Sequence, residues 1–122
     1  MRSLKLLLLA GALSCSSSTA VDIGGVVARV RPGEIEIANL TERPVYKFVI
    51  GRDLSALADW IPCVNPQLCD AIQPREAARV PYPAPGIDAR EREALVYWWH
   101  LAPNATGGFR PDSMRVGIVP LR

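Results

Sequence analysis

The chain has 122 residues, of which 49% are hydrophobic, with 14 basic and 12 acidic side chains. This length accommodates one domain that buries roughly two thirds of the surface of its unfolded chain. Without Arg2 and Lys5, which belong to an N-terminal leader, 12 basic residues remain against the 12 acidic ones. These basic residues, 11 arginines and Lys47, are spread among the acidic ones, so nothing resembles a basic stripe of the kind that binds nucleic acid or anionic lipid.

The N-terminus has the pattern of a secretory leader. A short basic segment, residues 1–5, precedes a short apolar segment, residues 6–13, and this order is typical of a signal peptide. A membrane-spanning helix needs about 20 apolar residues, so the segment predicts export and not a membrane span. We assign residues 1–14 to the signal peptide.

The end of the leader, Ala12-Leu13-Ser14-Cys15, resembles the lipobox of bacterial lipoproteins. The resemblance covers only the leader, and it implies that Cys15 is lipidated and attaches the chain to a membrane through a flexible tether, residues 15–21. In that family a serine after the cysteine, here Ser16, usually accompanies an outer-membrane location facing the periplasm or the surface. The alternative is cleavage after Ala20 by ordinary signal peptidase, which leaves a soluble periplasmic or secreted protein.

Residues 22–122 are predicted to form a single β-rich domain that begins with a hairpin. Two segments with strand character, Val26–Val30 and Glu34–Asn39, flank a Pro-Gly turn. The second segment alternates charged and apolar residues, so Ile35 and Ile37 are expected to face the core and its glutamates to face water.

The next segments give a third strand, an undecided stretch and a fourth strand. Val45–Ile50 has β-branched and aromatic residues and places its bulkiest side chains on one face. Leu54–Trp60 fits either a short helix or a strand, and the sequence does not separate the two. Arg75–Tyr82 is a modest strand whose Pro81 predicts a sheet edge or a strand end.

Cys63 and Cys69 are an even pair once Cys15 is lipidated or removed, and an exported protein favours a disulfide between them. Closing so short a loop stabilises a fold by about 2 kcal/mol in the chain-entropy model. Structural zinc requires four ligands, and a blue-copper site requires a second histidine beside His100. The sequence therefore predicts no metal and no cofactor.

The segment Ala94–Leu101 is the most apolar part of the mature chain, and its aromatic residues favour a central strand with cover on both faces. A helix is the alternative, because Asp88 followed by Glu91 fits a capping box. Consecutive bulky residues lose side-chain freedom in a helix, which favours the strand. We expect the last strand, Ser113–Pro120, to pair beside it, since a glycine-containing loop joins the two.

These segments together predict an all-β fold, a small antiparallel two-sheet β-sandwich that is immunoglobulin-like in the broad sense, with an optional short helix at residues 54–60. Cys63 and Cys69 are too close in the chain to join two sheets, so the disulfide of true immunoglobulin domains is missing.

The aromatic residues give the candidate binding surface. Trp98 and Trp99 point to opposite faces of one strand, so a two-layer sandwich buries only one of them between its sheets. The segment from Trp60 to Cys69 either forms a lid over the other indole or leaves it exposed as a platform for a glycan, a peptide or a protein. The residues of this candidate surface are Trp60, Tyr82, Tyr97, Trp98, Trp99 and His100.

The sequence does not predict an enzyme. No nucleophile, phosphate-loop or metalloprotease motif is present, His100 has no orienting acid and nucleophile in its sequence neighbourhood, and Glu91 and Glu93 lie among arginines, which predicts a solvated charged loop. We expect an exported cell-envelope lipoprotein that acts as a binding or assembly module, with an envelope protein or a glycan as partner and no nucleic acid. The alternatives are a carbohydrate-binding module that uses an exposed tryptophan and, more distantly, an envelope hydrolase.

Overall fold

The computed structural model describes residues 19–122. The predicted signal peptide, Cys15 and the first part of the tether lie outside these residues. None of the helices within residues 19–122 combines the length and the apolar character that crossing a membrane requires. The elements in chain order are β1 Ala20–Ile23, β2 Val26–Arg31, β3 Glu34–Asn39, β4 Tyr46–Gly51, α1 Arg52–Ser55, β5 Ala77–Pro81, β6 Glu93–Pro103 and β7 Phe109–Pro120.

The strands form two antiparallel sheets, one with the order β1-β2-β3-β5 and one with the order β4-β6-β7. Four strands thus lie opposite three, which confirms the predicted small antiparallel two-sheet all-β sandwich. The last strand pairs with β6, as the short connection predicted. The aromatic segment 94–101 is β-strand throughout, so the helix alternative is wrong.

The predicted hairpin is present as β2 and β3, in a register that places Arg31 beside Glu34. Gly33 has a φ of +79° in the turn, a conformation that glycine adopts without steric cost. Ile35 and Ile37 are fully buried in the core between the sheets, as the alternation predicted.

Strand β1 was not predicted, because residues 15–21 were assigned to a tether. The strand begins at Ala20, which pairs with Arg29 of β2. Its last residue, Ile23, enters the core and lies against Gly117 so closely that a Cβ there would be 2.5 Å from the isoleucine side chain. Cleavage after Ala20 would therefore remove the first residue of β1.

Strands β6 and β7 are longer than predicted, because they continue pairing to Pro103 and Phe109 through residues that the sequence indicated as a loop. The pairing shifts register between Trp98 and His100, where Ser113 adopts a φ of 60°. One extra residue in β7 therefore forms a β-bulge.

The undecided stretch, residues 54–60, is neither one helix nor one strand. A single helical turn, α1, ends at Ser55, and the chain then continues without regular structure to Trp60.

Candidate functional site

The two central tryptophans occupy opposite faces of β6, and both are buried. Trp98, 2% exposed, belongs to the core between the sheets, whereas Trp99, 1% exposed, lies on the outer face of the three-stranded sheet. The expected alternation is confirmed, but neither indole is available to a ligand. The alternative with an exposed tryptophan at this pair is therefore wrong.

Trp98 links the two sheets through its polar atom as well as its ring. Its Nε1–H donates a 2.6 Å hydrogen bond to the carbonyl oxygen of Ile23 in β1. A buried indole N–H needs such a partner, because an unpaired one costs about 1–3 kcal/mol. This bond fixes the edge of the four-stranded sheet over the middle of the three-stranded sheet.

Trp99 is covered by the segment 53–70, which we call the lid. Trp60 of the lid stacks on Phe48 with ring centroids 4.4 Å apart, meets Tyr97 edge-on at 4.8 Å and lies 5.8 Å from Trp99. The carbonyl oxygen of Cys63 accepts a 3.1 Å hydrogen bond from Nε1 of Trp99. The prediction that the loop from Trp60 to Cys69 packs over the outward indole is thus confirmed.

The lid is closed on itself by the predicted disulfide between Cys63 and Cys69, whose Cα atoms are 5.9 Å apart. Within this loop the side chain of Asn65 accepts a hydrogen bond from the amide of Gln67. The covalent bond and the turn together hold the Cys63 carbonyl where it meets the indole of Trp99.

The first turn of the lid is held by Glu91, which the sequence placed in a solvated loop. This carboxylate is buried, and it accepts hydrogen bonds from the backbone amides of Asp53 at 3.0 Å and Leu54 at 3.2 Å. Gly51 leaves the space that the carboxylate fills, since a Cβ there would be 2.4 Å from it. The expectation was wrong for Glu91, because its partners lie almost forty positions earlier in the chain.

Glu93, the other member of the apparent carboxylate pair, is partly exposed and pairs with Arg52. Glu91 and Glu93 therefore have separate structural partners, and neither is directed at the other.

His100 is buried at the end of the core beside Trp98, where its Nε2 lies 3.1 Å from Oγ1 of Thr41. Burial lowers the pKa of His100, and the positive charge of Arg43 lowers it further, while Asp112 partly opposes the shift. The lowered pKa disfavours the charged form of the ring, and the ring takes part in a structural hydrogen bond with Thr41.

Tyr82 and Tyr97, the two remaining members of the predicted surface, lie in different places. Tyr82 follows β5 and packs against the main core, whereas Tyr97 lies under Trp60 on the outer face. The structure therefore brings together Trp60, Tyr97 and Trp99 and separates them from Tyr82, Trp98 and His100. Over residues 19–122 there is no group of three His, Cys, Asp or Glu side chains that could hold a metal ion.

No protein-family model, curated protein or solved structure matches this chain.

The exposed apolar residues were missed by the sequence analysis. Three aliphatic side chains of the lid are almost fully exposed: Leu57 by 86%, Ile61 by 89% and Leu68 by 78%. They alternate along the lid with residues that point inward, such as Trp60. The lid thus buries the aromatic cluster with one side and presents aliphatic side chains to solvent with the other.

A groove of about 460 Å³ separates the disulfide loop from the β6–β7 turn. The amides of Asn65, Gln67 and Asn104 line it together with Phe109, which is partly exposed. A second cavity, of about 400 Å³, lies beside α1 and includes Glu91 in its wall. Glu91 already accepts two backbone hydrogen bonds there, so its carboxylate has a structural role.

Proposed function

We propose that the protein is an exported, lipid-anchored, non-enzymatic binding module of the bacterial cell envelope. The leader and the lipobox resemblance at Cys15 support the export and the anchor. The mass of the mature N-terminus from a membrane fraction tests both. A lipidated Cys15 at the N-terminus is the expected result, and an unmodified chain that begins at Val21 would refute the anchor.

The exposed lid supports the binding role and carries this proposal. Leu57, Ile61 and Leu68 expose apolar area on one short segment, and a partner that covers them removes that area from water. They lie on a segment that is held from beneath by an aromatic cluster and closed by a disulfide, so the surface is preformed. A preformed surface loses little conformational entropy on binding.

The charge of the lid indicates the kind of partner. Residues 53–70 include Asp53, Asp59 and Asp70 and contain no lysine or arginine. An anionic membrane surface is repelled by such a segment. The partner we propose is an envelope protein with an apolar centre and a rim of lysine or arginine, since complementary charge steers association and selects the partner.

The non-enzymatic role is supported by the way in which the titratable residues are engaged. His100 is hydrogen-bonded to Thr41, and Glu91 accepts two backbone amides at the start of the lid. A general acid or base needs a proton of the substrate within hydrogen-bond reach. Both groups instead form hydrogen bonds within the protein.

The docking surface can be tested by replacing Ile61 with a photo-crosslinking amino acid. The full-length chain is expressed in its source cells for this experiment. We expect one dominant protein adduct in the envelope fraction, and weak or no labelling from the same residue at Leu40, an exposed leucine outside the lid. Asp59→Asn with Asp70→Asn should reduce the adduct from position 61, whereas Asp22→Asn should not. Equal labelling from positions 61 and 40 would refute the lid as the docking surface.

A glycan is the second candidate partner, and the groove beside Phe109 is the observation that favours it. The side-chain amides of Asn65 and Gln67 beside a partly exposed ring match the polar and stacking contacts that sugars need. Isothermal titration calorimetry with soluble envelope glycans should show saturable binding, and Phe109→Ala should abolish it. Absence of binding heat with every glycan tested would remove this candidate.

A further inference from the structure

Strand β7 is an edge strand, and its outward face is apolar. It follows β6 in the order β4-β6-β7, and among residues 19–122 no strand pairs with its other side. Met114, Val116 and Ile118 alternate along its outer face and are exposed by 40%, 51% and 44%. A row of free backbone donors and acceptors thus lies beside a row of exposed apolar side chains.

Natural edge strands are usually protected against pairing by charges, prolines or bulges. In β7 the bulge lies at Ser113 and the last proline is Pro120. The segment between them has one charged residue, Arg115, and no proline. Between those protective features lies an open segment, residues 114–119, whose two central residues are Val116 and Gly117.

We propose that this edge pairs antiparallel with the same edge of a second copy of the chain, with the two-fold axis at Val116. The pairing places Val116 against the partner's Val116 and Met114 against the partner's Ile118. Apolar cross-strand pairs of this kind stabilise antiparallel sheets, and a symmetric dimer requires a patch that is complementary to itself. The product is a continuous six-stranded sheet.

The positions of Arg115 and Gly117 on the core-facing side of β7 are compatible with this register. Arg115 lies opposite the partner's Gly117, so no two like charges face each other across the pair. An axis at Arg115 would instead oppose two arginines, which destabilises a sheet. The Arg115 side chain lies across Gly24 of its own chain, where a Cβ would be 2.7 Å from its Cδ. It therefore leaves the edge itself free.

The inference goes beyond the proposed function and does not depend on it, because the lid and the β7 edge are different surfaces. Pairing of two short edges buries less than the roughly 800 Å² per partner of a standard stable interface. The dimer is therefore weak, and its first test is a cross-link that captures it.

Val116→Cys in the full-length chain is the diagnostic variant. Directly opposed residues have Cβ atoms about 4.5–5.5 Å apart, close to the distance that a disulfide spans. Mild oxidation with copper phenanthroline in air should convert this variant to a covalent dimer. The matched control is Ile118→Cys, whose two copies are separated by four strand positions along the pair.

We expect at least about tenfold more dimer from Val116→Cys than from Ile118→Cys, since only the first places its sulfurs within bonding reach. The double variant Met114→Cys with Ile118→Cys should again form dimers. The unsubstituted chain gives the background. Equal yields from the two single variants, or no dimer above background, would overturn the proposed pairing.

A second measurement separates loss of pairing from loss of fold. Val116→Lys introduces a charge at the centre of the edge, and Phe109→Lys introduces the same charge on the same strand outside the paired segment. Sedimentation of the full-length chain in detergent should show dimers for the wild type and Phe109→Lys and monomers for Val116→Lys, with unchanged circular dichroism in all three. A wild-type chain that stays monomeric at high concentration would overturn the proposal, and it would leave the lid-docking test unaffected.

Discussion

Trp60 is the side chain that closes the outer face of the three-stranded sheet, and Trp60→Ala is expected to destabilise the fold. Its ring contacts Phe48, Tyr97 and Trp99 at centroid distances of 4.4, 4.8 and 5.8 Å. Aromatic pairs contribute about 0.5–1.5 kcal/mol each beyond their area, and a fully buried tryptophan costs about 3–5 kcal/mol on truncation to alanine. Because Trp60 is only half-buried, we expect a loss of about 2–3 kcal/mol.

Urea unfolding followed by far-ultraviolet circular dichroism measures this loss without using the fluorescence of the deleted indole. Ile61→Ala is the matched control, since this neighbouring side chain is 89% exposed and exposed substitutions usually change stability by less than about 0.5 kcal/mol. A double-mutant cycle with Phe48→Leu should give a coupling energy of about 0.5–1.5 kcal/mol with Trp60.

Acrylamide quenching gives a second readout of the same variant. Loss of Trp60 uncovers Trp99, so the remaining emission should become more accessible to the quencher although one indole has been removed. If Trp60→Ala unfolds within about 0.5 kcal/mol of the wild type and its quenching is unchanged, the lid does not cover Trp99 in solution.

Three further predictions concern the residues around this site. Replacement of Cys63 and Cys69 by serine should lower the free energy of unfolding by about 2 kcal/mol in the chain-entropy model, measured by urea titration against the oxidised wild type. Asn39→Ala should cost about 2–3 kcal/mol in the same assay, because its buried amide bonds two backbone carbonyls and accepts two further hydrogen bonds. Burial and Arg43 lower the pKa of His100, so the unfolded chain binds its proton first, and stability should fall as the pH drops below about 6.5, the ordinary histidine value. His100→Gln should flatten that part of the pH profile, and a slope equal to that of the wild type would contradict the assignment.

Local patterns in the sequence were sufficient to predict most of the fold. Alternation placed Ile35 and Ile37 in the core, and it placed Trp98 and Trp99 on opposite faces of one strand, because successive side chains of a regular strand point to opposite faces. The pairing of the last two strands followed from their short connection. Strand β1 was missed because its four residues border a serine-rich tether and give too short a signal.

Only one part of the candidate site could be predicted from the sequence, namely the segment that covers the outward-facing tryptophan. An outward tryptophan on a central strand requires a lid, and Trp60 with the cysteine loop was the nearest segment able to provide one. The role of Glu91 was not predictable, since its amide partners at residues 53 and 54 are remote in the chain. The exposure of Leu57 and Ile61 was also missed, because hydrophobicity alone does not distinguish the inner side of a lid from its outer side.

The lid and the exposed apolar side chains of β7 lie on the same face of the three-stranded sheet. This has a consequence if both proposals hold. A two-fold axis through Val116 stands perpendicular to the extended sheet, so the two copies present their lids in the same direction. Two weak docking surfaces that face one way engage a membrane-held partner with higher avidity than one, because the second contact becomes intramolecular. Val116→Lys should therefore weaken attachment to a partner array while leaving the binding of a single partner molecule unchanged. Loss of single-partner binding in that variant would instead mean that the β7 face itself is part of the docking surface.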